Sequence, residues 1–145
     1  MKYALAVLTL ALVSCGGPSP VTPVTPTTPT PPQVQTANYL NALAQALDAA
    51  VIGLRSARDA GTLTPATVAT AEKVAAIMAT AGKQIDAELR STDPWTTQQS
   101  VILRIITSTG LSAAYRSLPL ATSAYVAASV AVFNSISLAV GGPQI

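Results

Sequence analysis

The sequence predicts an all-α protein: a small up-down bundle of about four helices behind a disordered Pro/Thr-rich linker. Three observations carry that expectation. From Leu40 onward, apolar residues recur at alternating spacings of three and four, which lines one face of a helix. Glycine or proline punctuates these stretches, and two of them open with a cap residue followed by proline. Upstream of Gln33 the composition turns abruptly to proline and threonine, which suits a spacer rather than a core.

Taken in order, the chain opens with Lys2 and then Tyr3 to Val13, nearly all Ala, Leu and Val. Such a run suits the apolar region of a secretory signal and is short of the ~20 residues that span a bilayer as a helix. It ends in Leu12-Val13-Ser14-Cys15. This motif resembles the lipobox of bacterial lipoproteins: an aliphatic residue, two tolerant positions with a small one last, then cysteine. The resemblance covers residues 1–15 only. It implies a signal peptide over 1–14, cleavage between Ser14 and Cys15, a diacylglycerol on the Cys15 thiol and an acyl group on its new amine. Membrane lipid held through Cys15 would then be a partner of the chain, and no other cofactor is expected. An ordinary secretory signal with an incidental cysteine, or a very short membrane anchor, is the alternative. Cys15 is the only cysteine, so no intramolecular disulfide can use it. Several acyl chains at ~0.8 kcal/mol per buried CH₂ anchor a protein stably, where one chain is marginal. Among lipoproteins of two-membrane bacteria, Asp after the cysteine marks inner-membrane retention. Gly16 stands there instead, which implies the outer membrane facing the periplasm, with the inner membrane or the cell surface as alternatives.

Residues 15–32 form the expected tether. Gly16 to Pro32 holds seven of the eleven prolines. Each fixes φ, removes a donor and biases its predecessor toward extended backbone. At ~3.1 Å per residue, a polyproline-type spacer of this length reaches roughly 40–50 Å. A ligand for a proline-recognising partner and a glycosylated threonine stalk are the rival uses.

The helical domain is expected over 33–142. Its first helix, about 36–60, presents Leu40, Leu43, Leu47, Ala50, Leu54 and Ala57 on one face. Arg55 and Arg58 suit its C-terminal dipole, and Gly61 a left-handed cap. The second, about 65–90, opens on Thr64 as cap with Pro65 at the first position, and Leu63 and Val68 are placed for a hydrophobic staple. Its face is Val68, Ala71, Ala75, Met78, Gly82, Ile85 and Leu89, and Asp86 and Arg90 form an i,i+4 pair. The two helices read as an antiparallel hairpin with a close, small-residue seam; a coiled coil between chains would use the same pattern. Asp93-Pro94 repeats the cap-then-proline start for a third helix, about 94–117. Ile102, Leu103, Ile106, Gly110, Ala113 and Ala114 share one side, with Arg104, Ser108 and Tyr115 broadly opposite. Trp95 in its first turn covers the end of the core, anchors a partner or sits in an interfacial belt, and Tyr115 is a second candidate interface residue.

The fourth helix, about 119–140, lies in Leu118–Val140, a segment without charge; nothing after Arg116 is charged. Its Ser and Asn residues do not separate from Val126, Val130, Phe133 and Val140 at 100° per residue. A helix without a polar face is buried in a bundle or inserted in a membrane. The segment is long enough to span, although Asn134 and its hydroxyl residues make it only moderately apolar.

The chain has no histidine, and its one cysteine is assigned to lipid. Imidazole bases, imidazole metal ligands and cysteine nucleophiles are therefore absent. Asp86 and Glu88 point apart on one helix, Asp48, Asp59 and Glu72 are isolated, and neither Lys73 nor Lys83 sits in an S-x-x-K motif. No enzyme and no metal site is expected. The eight basic and six acidic residues are spread out, so no nucleic-acid stripe arises. The sequence thus points to a membrane-anchored bacterial or phage-encoded lipoprotein presenting a structural or binding domain, through a helix-mediated partner or self-association. The alternative is a lipid at one end and a membrane helix over 118–140 at the other. That layout resembles single-chain phage spanins in architecture alone, and implies envelope disruption during lysis.

Overall fold

Five helices organise residues 31–144, the residues that the computed structural model describes. They are α1 (Pro31–Asp59), α2 (Pro65–Leu89), α3 (Trp95–Ser108), α4 (Leu111–Arg116) and α5 (Leu120–Ala139). The described residues contain no strand, as the sequence requires of an all-α fold. The expected signal peptide, Ser14, Cys15 and the tether up to Thr30 lie outside them.

α1 starts five residues before the predicted boundary. Pro31 and Pro32 lie in its first turn, where their missing N–H groups would have no intrahelical partner anyway. The fully buried Thr36 donates its hydroxyl to the Pro32 carbonyl at 2.8 Å. The end of the tether is therefore part of the domain. At the other end, Gly61 adopts φ +73° and closes a Schellman motif: its N–H bonds Arg58 O and that of Thr62 bonds Ala57 O, each at 2.9 Å. Thr64 then caps α2 by accepting from the Thr67 N–H at 3.3 Å, with Pro65 behind it. Both signals are local, and both act as the sequence predicts.

The third predicted helix is two helices. Gly110 sits in the left-handed region at φ +65°, so α3 stops at Ser108 and α4 restarts at Leu111. Thr109 supports the break: its hydroxyl donates to Ile106 O at 2.9 Å and accepts from the Leu111 N–H at 3.1 Å. Three hydroxyl residues before a glycine lower helix propensity and offer such alternative partners, so the chain turns where an unbroken apolar pattern suggests continuity. The break reorients α4 relative to α3, and Tyr115 and Ala114 both pack against the core instead of facing opposite ways. Asp93 does not cap α3 either. Pro94 occupies the cap position in extended backbone, and its carbonyl receives the Thr97 and Gln98 N–H groups.

α1 packs on α5 and α2, and α2 in turn on α5, α3 and α4. α1 runs antiparallel to both α2 and α5. The start of α1, the α2–α3 turn and the end of α5 share one end of the bundle, where Gln33 bonds Gln98 and Gln99 bonds the Val140 carbonyl. The inner faces of α1 and α2 meet in one core cluster with Ile102, Ile106, Phe133 and Ile136. The two matched seven-residue patterns are thus used inside the chain. Glycines set the closest approaches. A Cβ on Gly82 would touch Leu43 Cδ2 at 3.4 Å, and one on Gly53 would meet the Tyr125 ring at 3.0 Å.

α5 is the helix whose environment the sequence leaves open. Val126, Val130, Phe133 and Ile136 are buried in the bundle core, and so are the hydroxyl residues Thr122, Ser129 and Ser137. A second Schellman motif, with Gly141 at φ +77°, ends the helix and turns the tail so that Ser137 Oγ donates to Pro143 O at 2.6 Å. Leu120 and Leu138 remain exposed on its outer side, and Tyr125, over Gly53 of α1, is partly exposed.

Ser129 is fully buried, and its hydroxyl oxygen has no hydrogen-bond partner. A buried unpaired hydroxyl costs about 1–3 kcal/mol, and alanine is the better helix former. Ser129→Ala is therefore expected to stabilise the fold by about 1–2 kcal/mol, raising the thermal midpoint by several degrees. A lower midpoint in a circular-dichroism melt would show that the hydroxyl has a stabilising partner.

Candidate functional site

At the end of the bundle where α1 begins, the α2–α3 turn stands away from α1 and leaves a cleft of about 580 Å³. Its walls come from the first two turns of α1, notably Val34 and Asn38, and from Leu89 and the stretch Ser91 to Trp95. The local sequence makes the turn. α2 ends with Arg90 as C-cap, and Ser91-Thr92-Asp93-Pro94 comes next, with a proline that cannot continue the helix. Trp95 opens α3, half-buried, with part of its ring against the core and part lining the cleft.

Gln98 holds this region together. Its side chain is 1% exposed and fully engaged. Nε2 donates to the Ser91 carbonyl and hydroxyl oxygens, both at 3.2 Å, and Oε1 accepts from Gln33 Nε2 at 2.7 Å. The Ser91 hydroxyl also accepts the Asp93 N–H at 3.3 Å. One buried amide thereby ties the α2–α3 turn to the start of α1. The sequence did carry a signal for it, since Gln98 precedes Ile102 and Ile106 at helical spacing on the inner stripe of α3. A polar residue on an apolar stripe needs a partner, but the pattern could not say which one.

Of the two candidate interface residues, Trp95 lines the cleft and Tyr115 does not. Tyr115 lies on α4, beyond the other end of α3, partly buried against the core. The fold keeps the two aromatic residues apart. Cys15 and Ser14 lie outside the described residues.

A second depression of about 370 Å³ runs between α1 and α2 over Leu40, Leu47 and Gly82. Asp48, Lys83, Asp86 and Arg90 border it. The predicted Asp86–Arg90 pair forms there, with contacts of 2.9 and 3.2 Å. The hydrogen bond and then the charge of Asp86 raise the pKa of the Arg90 guanidinium, which is charged at neutral pH in any case. Arg55 and Glu72 bridge the same helices at 3.1 Å on the surface. Among the described residues, no three carboxylates, cysteines or histidines gather where a metal could sit.

The chain matches no protein-family model, no curated protein and no solved structure.

Proposed function

We propose that the protein is a lipid-anchored envelope protein: Cys15 carries the lipid, the Pro/Thr-rich segment is a spacer, and the bundle is a non-catalytic binding module working through the Trp95 cleft. The observation that carries the anchor is Leu12-Val13-Ser14-Cys15 at the end of a short apolar run, with the chain's only cysteine in place. The outer membrane facing the periplasm is the proposed location, since Gly16 replaces the residue that marks inner-membrane retention. Support for binding over catalysis comes from the side chains available: no histidine, one cysteine committed to lipid, and carboxylates spread over the surface.

The rival, a spanning segment over 118–140, draws on α5, which by length and composition could cross a membrane. Its packing favours the bundle. Phe133 and Ile136 fill the core beside α1 and α2, whose apolar stripes would face water if α5 left.

Cys15→Ser tests the choice. In membrane fractionation of cells fed a labelled fatty acid, the parent chain is expected to carry label and resist alkaline extraction. The variant is expected to lose the label and leave the membrane pellet on alkaline extraction. A chain starting at Gln33, made without the signal, that still goes to membranes and resists extraction would mean that another segment spans the bilayer, and the spanin-like arrangement would replace this one.

A further inference from the structure

We propose that the Trp95 cleft is a carbohydrate site for a short stretch of neutral oligosaccharide, an inference that rests on the binding-module reading above. The cleft volume, about 580 Å³, falls within the ~300–1,000 Å³ of small-molecule sites. A pyranose ring has one face of C–H bonds and a rim of hydroxyls. It is recognised by a flat aromatic surface with donors and acceptors at its edge. Trp95 supplies the surface, with exposed Val34 extending the apolar wall.

Asn38, Thr92 and Asp93 supply the edge. All three are exposed and line the cleft, and their side chains have no hydrogen-bond or ion-pair partner among the described residues. Between them they offer an amide, a hydroxyl and a carboxylate, which matches the mixed donors and acceptors of sugar hydroxyls. The Gln98–Ser91–Gln33 network fixes the backbone that carries Thr92 to Trp95, so little ordering is left for binding to impose.

Charge narrows the ligand further. Among the described residues no lysine or arginine lines the cleft, and Asp93 is the one charged side chain there. Phosphates, nucleic acids and acidic glycans are disfavoured there. A proline-rich peptide is the competing class, because it also stacks on tryptophan. Its grooves, however, are lined by several aromatic side chains, and this cleft has one.

Trp95 is the only tryptophan in the chain, so the fluorescence of the full-length protein reports on the cleft directly. The protein is titrated with chitotetraose and with maltotetraose in a detergent lacking a sugar headgroup. A saturable shift of the emission with either sugar is the expected result, and the preferred sugar tells a wall-type N-acetylated glycan from a glucan. By calorimetry, Asp93→Ala and Asn38→Ala are each expected to weaken binding about tenfold with the thermal midpoint unchanged. Trp95→Leu is expected to abolish it.

The proposal fails if neither sugar moves the emission at millimolar concentration, or if binding survives Asp93→Ala and Trp95→Leu. It also fails if a peptide copying residues 18–30 saturates the signal and the sugars do not. Membrane partition of the Cys15→Ser variant is measured separately, so a failure here leaves the anchor intact and bears on the cleft alone.

Discussion

Phe133→Ala is expected to lower the unfolding free energy by about 3–5 kcal/mol, the range for emptying a buried phenylalanine position. Phe133 is the only phenylalanine, is 0% exposed and heads the fully buried side chains by volume. It stands on α5 within the cluster that also holds Leu54, Met78 and Ile85. The same core cluster includes the alanines Ala50, Ala71, Ala75 and Ala81, which have no longer rotamers with which to fill a space. Domains of this size are stable by about 5–15 kcal/mol, so the loss is a large share of the total.

Guanidinium unfolding followed by far-ultraviolet circular dichroism measures the effect, with a lower midpoint and an unchanged slope expected. The measurement also bears on function. An α5 that left the bundle for a membrane would not support the cooperative unfolding of the rest, and a loss below about 1 kcal/mol would contradict its place in the core.

Gln98→Ala is the second large effect, expected at about 2–4 kcal/mol from a cavity together with a broken buried network. The substitution removes three hydrogen bonds at once and leaves Gln33 Nε2 and the Ser91 carbonyl without the partner they now share. Gln98→Met separates the two contributions. It restores most of the volume while removing the same hydrogen bonds, so a Met variant nearly as unstable as the Ala variant would assign the cost to the network. The loss should be local as well as global. Amide exchange is expected to rise first at the α2–α3 turn and at the start of α1, distant in sequence yet joined through this one side chain. Exchange that stays slow at both places would mean that packing, not the amide, holds the end of the bundle.

Legibility in the sequence follows the range of the interactions involved. The inner face of α1 is the predicted one, with Leu43, Leu47, Ala50, Leu54 and Ala57 buried and Leu40 partly so. The face of α2 agrees as closely, since Val68, Ala71, Ala75, Met78 and Ile85 are all buried. Thr64-Pro65 and Gly61 act within a turn of where they stand. The α3–α4 break is not legible in the same way, because a helix can tolerate one glycine and the apolar pattern continues past it. The structure shows Thr109 supplying the partners that favour the turn.

By itself the sequence determined the all-α class, the core faces of α1 and α2, and the turn that joins them as a hairpin. Each depends on spacings of three and four residues or on a cap, both of which are complete within a few residues of chain. Tertiary structure alone decided three other things: that α5 turns Phe133 and Ile136 inward, that Gln98 binds the two ends of a long stretch of chain, and that a cleft opens beside Trp95. A helix with apolar residues all round has no inner face until its neighbours supply one. The apolar stripes of α1 and α2 supplied it for α5, and Gln98 meets Gln33 only once the start of α3 lies beside the start of α1.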